Sequence, residues 1–207
     1  MVTKLEIVKH MLFTVGEQVP VTLESQHPSI LQAVAILESN DRDVQGRGWW
    51  YNTENSVTLS HNTDDEVIVP DNTLSLQVIS CHSAPVMNRA QYAVRGNKVY
   101  DTIAHTFKIG SSLLVNVVVQ QPIEDIPHNA GTYLKHLAAE SMFTSEDGDQ
   151  LKMDRLKEKT ALAWHLLKAD ELKTANINAL NSPTAAQLRY RIGQVLSPSN
   201  PIWPGGR

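Results

Sequence analysis

Apolar residues recur every three or four positions in the first part of the chain, which predicts two helices. The first stripe consists of Leu5, Val8, Leu12 and Val15. The second stripe consists of Ile30, Val34, Leu37 and Val44. Gly16 follows the first stripe, where a left-handed residue can end a helix, and Pro28 suits the first turn of the second helix. Asp41 interrupts the second stripe, and the pattern leaves open whether it faces solvent or an interface.

From Trp49 the period changes to two, which is typical of β-strands. The alternating sets are Trp49, Tyr51 and Thr53, then Leu74, Leu76 and Val78, and later Leu113, Val115, Val117 and Val119. Residues 92–101 are predicted to form a hairpin with Gly96 and Asn97 at its tight turn. Short strands separated by turns predict a small antiparallel sandwich or barrel.

Helical spacing returns after Asp125 and predicts a third and a fourth helix. Pro127 can open the third helix, whose packed face is predicted to hold Ala130, Leu134, Leu137 and Ser141. The fourth helix begins near Asp149 and buries Met153, Leu156, Thr160, Ala163 and Leu167. Its solvent-exposed face is predicted to hold Lys152, Arg155, Lys157, Glu158 and Lys159.

This order of elements predicts an α+β fold: a four-helix bundle with an inserted antiparallel β-sandwich or barrel-like domain and an extended C-terminal tail. The predicted boundaries are 1–47 for helices one and two, 48–122 for the β domain, 123–173 for helices three and four, and 174–207 for the tail.

Proline interrupts the predicted tail at four positions, 183, 198, 201 and 204, and leaves one short helix capped by Ser182. The last ten residues cannot build a core of their own. Apolar side chains nevertheless recur through the segment and are predicted to anchor it on a partner. These anchors are Leu188, Ile192, Val195, Ile202 and Trp203.

Residues 45–54, QGRGWWYNTE, mark the change from helical to strand periodicity. Gly46 and Gly48 are predicted to end the second helix where a Cβ would clash, forming a structural hinge. Trp49 and Tyr51 are then expected to begin the first strand and to fill the seam between bundle and sheet. A plain helix stop before a core strand is the simpler interpretation, and it is compatible with the seam.

The composition narrows the class of protein. The chain has 207 residues, a net charge of −4 and a pI of about 6.0, which speaks against a nucleic-acid binder with a basic stripe. Cys81 is the single cysteine, so an internal disulfide is impossible and a reducing compartment is expected. Charged residues within the first 13 positions argue against a signal peptide. The most apolar run, 112–119, is too short to span a bilayer, and no membrane is expected as a partner.

The search for catalytic and metal motifs is mostly negative. The sequence lacks nucleotide-binding loops, zinc-protease motifs and a nucleophile elbow. Cys81 and His82 are adjacent, but neighbours on a strand point to opposite faces and would not share a metal. Acidic clusters at 64–66, 124–125 and 146–149 are predicted to be solvated loops or helix starts. The sequence therefore predicts no enzyme activity, no cofactor and no metal.

Four segments together resemble the tail tubular protein A family, the head-to-tail adaptors of short-tailed bacteriophages. Residues 15–25, VGEQVPVTLES, are similar to its first loop, with matches at Gly16, Pro20, Val21, Leu23 and Glu24. Residues 45–54 resemble its strongest motif, with matches at Gln45, Arg47, Gly48, Trp49, Tyr51, Asn52 and Glu54. Residues 94–101 resemble the family hairpin, and 115–127 its last strand leading into helix three.

The resemblance implies a structural virion protein of the tail or neck, assembled in the host cytoplasm. Twelve copies would form a ring below the portal protein and seat the tail nozzle, tail tubular protein B, with tail fibres as further partners. Double-stranded DNA would cross the lumen without sequence-specific binding. The alternative is a glycan-binding or glycan-hydrolysing β module, with Trp50 or Tyr92 as a sugar platform beside a carboxylate pair. A plain domain of unrelated function is the third interpretation.

Overall fold

The computed structural model describes residues 2–24, 27–81, 84–86, 91–145 and 149–174. One compact unit comprises Met1–Lys168, and a second comprises Ala169–Arg207, of which residues 169–174 are described. The five predicted tail anchors lie outside the described residues, as do Ser182, Pro183, His82 and the acidic pair at 146–147.

Four α-helices form where the apolar periodicity predicts them: α1 Lys4–Val15, α2 Pro28–Gln45, α3 His128–Ser145 and α4 Gln150–Thr174. The Thr3 hydroxyl accepts a hydrogen bond from the Glu6 N–H and caps the start of α1. Gly16 ends α1 with φ 83°, the left-handed conformation expected of it. Pro28 is the first residue of α2, and the Pro127 carbonyl accepts from Gly131 N–H at the start of α3.

The described strands are β1 Thr53–Leu59, β2 Thr73–Cys81, β3 Ala84–Pro85, β4 Tyr92–Arg95, β5 Lys98–Asp101 and β6 Leu113–Val119. β1, β6, β2 and β3 form an antiparallel sheet in that order. β4 and β5 form the predicted hairpin, in which Arg95 pairs with Lys98 across Gly96 and Asn97. These strands do not close into a barrel, so that part of the expectation is wrong for the described residues.

β6 lies between β1 and β2, so both of its edges are hydrogen-bonded within the sheet. Leu113, Val115, Val117 and Val119 point to one face and are buried, as their alternation predicts. They pack with Val67, Val69, Val78 and Val99 into a core that belongs to the β part of the chain. Val99 links the hairpin to this core, because its N–H donates to the carbonyl of Val67.

A separate core lies among the helices. The backbones of α1, α2 and α3 approach one another in pairs, whereas α4 joins through side chains such as Ala163 and Leu167. A smaller cluster of Phe143, Met153 and Leu156 continues the contact between α3 and α4. The predicted bundle is thus a trio of close helices with a fourth added alongside. Of the helices described, none is both long enough and apolar enough to cross a membrane.

The predicted start of the first strand is wrong. Trp49 precedes β1, and residues 50–52 form a turn in which the Asn52 N–H donates to the Trp49 carbonyl at 3.2 Å. Three residues at alternate positions are too few to separate a strand from a turn, and here Trp49 and Asn52, three residues apart, are the buried ones. Trp50 therefore does not lie on the opposite face of a strand from Trp49.

Candidate functional site

The hinge motif forms a buried polar junction between α2 and the end of β6. Gln45 is fully buried at the last position of α2, and its side-chain amide donates to Asp41 Oδ1 and to the Gln121 carbonyl, both at 2.8 Å. The Gln121 N–H donates back to Gln45 Oε1 at 2.8 Å. Gln120 Nε2 donates to the second carboxylate oxygen of Asp41 at 2.9 Å. The sequence left the environment of Asp41 open, and the structure buries it here.

Asn52 extends this junction into the turn before β1. Its side-chain amide donates to the Gln45 carbonyl at 2.9 Å, and its Oδ1 accepts from the Trp49 N–H at 2.8 Å. Its own carbonyl accepts from the Val119 N–H at 2.8 Å. One buried asparagine thus ties together the end of α2, the turn and β6. A buried network with every member paired rigidifies the fold, because any opening would leave desolvated polar groups.

The two hinge positions hold glycine for different physical reasons. Gly48 adopts φ 73°, and a Cβ there would lie 3.1 Å from Val118 Cγ2. Both the left-handed backbone and the close approach to β6 require glycine at this position. Gly46 remains right-handed with φ −62°, and an added Cβ would lie 2.9 Å from the Arg42 carbonyl oxygen.

Trp49 lies in the core of the helical part, with 2% of its surface exposed. Its indole N–H donates to the Val44 carbonyl at 2.7 Å, which satisfies the ring's polar atom. The Trp164 ring of α4 meets it edge to face at a centroid distance of 5.4 Å. The Arg47 guanidinium lies 5.0 Å from the Trp164 ring centroid, and the Lys168 ammonium lies 4.7 Å from that of Trp49.

The motif's other aromatic residues are only half buried. Trp50 packs against the helical core and meets Tyr51 edge to face at 5.4 Å. Burial, with the nearby Asp41 carboxylate, raises the pKa of Tyr51. The Tyr51 hydroxyl has no hydrogen-bond partner among the described residues. The hydroxyl therefore remains protonated and neutral at physiological pH.

The arrangement can hold two parts of a chain in a fixed relation, and it offers no reacting centre of the usual kinds. Asp41 is held by two amide donors, and the described residues contain no group of three side chains suited to a metal ion. Glu66 of the first acidic cluster pairs with Lys98 at 2.6 Å. Glu124 accepts from the Lys4 N–H at 3.2 Å. These carboxylates serve loops and helix starts.

The residues named for a sugar platform do not come together. Trp50 packs against the helical core, whereas Tyr92 packs against the core of the sheet. Both side chains are half buried. A platform for glycans needs exposed aromatic faces beside convergent carboxylates, and these two residues do not supply one.

Sequence reasoning missed most of the junction. It gave a structural role to Gly46, Gly48, Trp49 and Tyr51 but none to Asp41, Asn52 or the pair at 120–121. A usable signal was present, because Asp41 and Gln45 are four residues apart on the buried stripe of α2. Two polar residues at that spacing on an apolar face indicate a shared partner. Trp164 and Lys168 carried no comparable signal.

The described residues form a mixed α+β fold whose helical part and sheet are joined by a buried polar junction. The tail tubular protein family model matches residues 5–177, which cover most of the chain. The chain therefore belongs to the tail tubular protein family and is a structural component of the bacteriophage tail. No curated protein matches it significantly.

Proposed function

We propose that this protein is the head-to-tail adaptor of its phage, a twelve-fold ring that joins the portal to the tail nozzle and forms part of the DNA ejection channel. The family match over residues 5–177 is the observation that carries the proposal. The resemblance of the motifs at 15–25, 45–54, 94–101 and 115–127 to the adaptors supports the finer assignment.

The buried junction supports this role. An adaptor subunit must keep its helical part and its sheet in a fixed relative position while the portal and the nozzle exert force on the ring. The amide of Gln45, the carboxylate of Asp41 and the amide of Asn52 are all hydrogen-bonded at that junction. Opening the junction would leave several desolvated polar groups without partners at once. The junction therefore resists movement of the helical part relative to the sheet.

Charge is consistent with a conduit for DNA. Each chain carries a net charge of −4, so a twelve-fold ring carries roughly fifty negative charges, which disfavours persistent phosphate contacts. Weak contact with the sugar–phosphate backbone lets DNA leave without being held. The same balance argues against sequence-specific DNA binding as the protein's own activity.

The tail anchors Leu188, Ile192, Val195, Ile202 and Trp203 are proposed to bind the portal or a neighbouring subunit. The nozzle protein and the tail fibres would then attach on the opposite side of the ring. These partners follow from the resemblance, and the anchors from the apolar composition of a proline-interrupted segment.

The test is reconstitution on DNA-filled heads that carry a portal but lack this protein. Added purified chain is expected to form a twelve-fold ring on the portal vertex, visible by electron microscopy, and to be required before nozzle protein binds. Heads without a portal are the control and should recruit none. Binding that ignores the portal, or a ring of different symmetry below the nozzle, would overturn the adaptor assignment.

A further inference from the structure

α4 carries a second apolar stripe on the side away from its own core. Its buried residues include Leu156, Ala163 and Leu167. Leu162 is 62% exposed and Leu166 is 48% exposed, and both lie between those buried positions in sequence. A helix with leucines on two sides has more apolar surface than one core can cover.

The exposed stripe has a regular composition. Leu151, Arg155, Lys159, Leu162 and Leu166 recur at spacings of four, four, three and four, which places them on one face of the helix. All five are exposed, and Leu151 is 59% exposed. This surface, the α4 leucine face, combines three leucines with two cations, and the exposed Glu158 lies at its edge beside Arg155 and Leu162.

A second exposed apolar surface, with acidic in place of basic side chains, lies at the turn between α1 and α2. Phe13 is 75% exposed, Val21 is 83% exposed and Val19 is 40% exposed. Glu17 and Glu24 are exposed in the same stretch of the chain. This surface, the α1–α2 loop surface, includes the wall of a groove of about 360 Å³ that is lined by Val19, Val21 and Ile30.

The charges of the two regions are complementary over a longer stretch. Between Lys9 and Arg42 the sequence contains four carboxylates and no lysine or arginine. Asp41 is buried and Glu38 pairs with Lys4, so Glu17 and Glu24 supply the exposed charge of this stretch. Residues 150–168 contain five basic side chains and two acidic ones. Two apolar surfaces that carry opposite charges associate in preference to surfaces that carry the same charge.

We infer that the α4 leucine face of one copy docks on the α1–α2 loop surface of the next copy. The two surfaces are different patches of one chain, so the contact is head to tail and can close into a ring. Leucines of α4 would bury against Phe13, Val19 and Val21, while Arg155 and Lys159 would lie opposite Glu17 and Glu24. This inference rests on the proposed ring and assigns its subunit interface.

Cysteine cross-linking tests the contact in the full chain. The background is Cys81→Ser, and the test variant adds Val21→Cys and Leu162→Cys. Rings are formed in concentrated protein or on portal-bearing heads and treated with a short bismaleimide. A ladder of covalent multimers is expected on a denaturing gel. The matched control pairs Val21→Cys with Ile103→Cys, since Ile103 is also 62% exposed but lies outside both surfaces, and it should give no ladder.

A second experiment uses substitutions to test whether another copy of the chain binds the α4 leucine face. Leu162→Ser with Leu166→Ser is expected to weaken self-association at least tenfold by sedimentation, with an unchanged urea midpoint of the monomer, whereas Ile103→Ser should leave association as it is. A lowered urea midpoint with normal association would overturn the inference, because the chain's own residues would then cover the face. Normal association with an unchanged midpoint would also overturn it.

The outcomes distinguish failure of the proposed interface from failure of the proposed adaptor role. Twelve-fold rings of the Val21→Cys, Leu162→Cys variant that give no covalent ladder would overturn the interface and leave the adaptor role standing. A ladder between chains that never close into a ring would support the interface and contradict the adaptor role. Arg155→Glu should reduce the association rate severalfold, and Glu17→Lys in the same chain should restore part of it.

Discussion

At the scale of single residues, the motif at 45–54 is explained by the junction it forms. Gln45 and Asn52 are hydrogen-bonded within it, Gly48 supplies the left-handed turn, and Arg47 lies over the Trp164 ring. Glu54, another matched residue, is exposed in β1 and is not among the residues of this network. The motif is therefore better understood as a structural joint than as a binding site.

Trp49 should be the most sensitive of the aromatic residues at this joint. Trp49→Ala removes a ring that is 2% exposed together with its hydrogen bond to the Val44 carbonyl, so the free energy of unfolding should fall by about 3–5 kcal/mol. Trp50→Ala should lower it by less than half as much, because Trp50 is only half buried. Urea unfolding followed by circular dichroism measures both. Equal small losses for the two variants would contradict this assignment.

The polar network gives a second prediction. Gln45→Leu keeps the volume of the side chain but leaves Asp41 Oδ1 and the Gln121 peptide groups without their partner, so the free energy of unfolding should fall by about 2–4 kcal/mol. Gln18→Leu, at an exposed loop position, is the control and should change it by about 0.5 kcal/mol or less. Comparable effects from both substitutions would show that the network adds little.

Residue environments were predictable only where periodicity decides them. Every residue predicted to be buried on α4 is buried, because a long helix repeats its pattern many times. Asp41 could not be placed, because an isolated polar residue in an apolar stripe fits solvent, an interface or a buried partner equally well. Its partner Gln120 lies 79 positions away, and such a pairing is fixed only when the chain folds.

At the scale of elements, helix ends and the hairpin were predictable from local chemistry. Gly16, Pro28 and the Gly96–Asn97 turn each restrict the backbone in one known way. Sheet closure was not predictable, because strand order depends on which distant strands pair. β6 lies between β1 and β2 although it comes last in sequence. The strand start was also missed, since three residues at alternate positions do not separate a strand from the turn that precedes β1.

The contact between α1 and α3 contains a pair of histidines that predicts a dependence on pH. The rings of His10 and His136 meet edge to face at 5.5 Å. Burial lowers the pKa of His136 to about 4, with further lowering by His10, Lys135 and Lys159. Burial also lowers the pKa of His10, with Lys135 and Lys159 acting in the same direction and Glu6 against it.

The sign follows from proton linkage. Between pH 6.5 and about 4 the unfolded chain binds more protons at these sites than the folded chain, so the free energy of unfolding should fall as the pH falls through that window. After allowing for solvent screening of half-buried groups, the loss is on the order of 1 kcal/mol. Urea titrations at pH 7 and pH 4.5 measure it. His10→Gln with His136→Gln should flatten the difference, and His165→Gln, at an exposed position of α4, should not.

At the scale of the whole molecule, the chain divides its apolar surface between internal cores and exposed patches. The helical and sheet cores bury many of the residues that the periodicity predicts, together with others such as Met11 and Val67 that it left out. Leu162, Leu166 and Val21 remain exposed, and single-chain folding gives no reason for them. Surface of this kind is expected of a subunit whose folding is completed by assembly, which agrees with membership of a structural tail family.

The last prediction concerns residues 197–207, which hold Ile202 and Trp203 and the prolines at 198, 201 and 204. Three prolines in seven positions prevent a compact helix, while the two large apolar side chains favour burial on a partner surface. Deleting 197–207 should leave the urea midpoint of the chain unchanged and abolish its docking on portal-bearing heads. Ile202→Ser with Trp203→Ser should reproduce the docking defect at full length, and Ser197→Ala with Ser199→Ala is the matched control. A lowered midpoint would place the segment in the protein's own core, and undiminished docking would place the portal contact elsewhere.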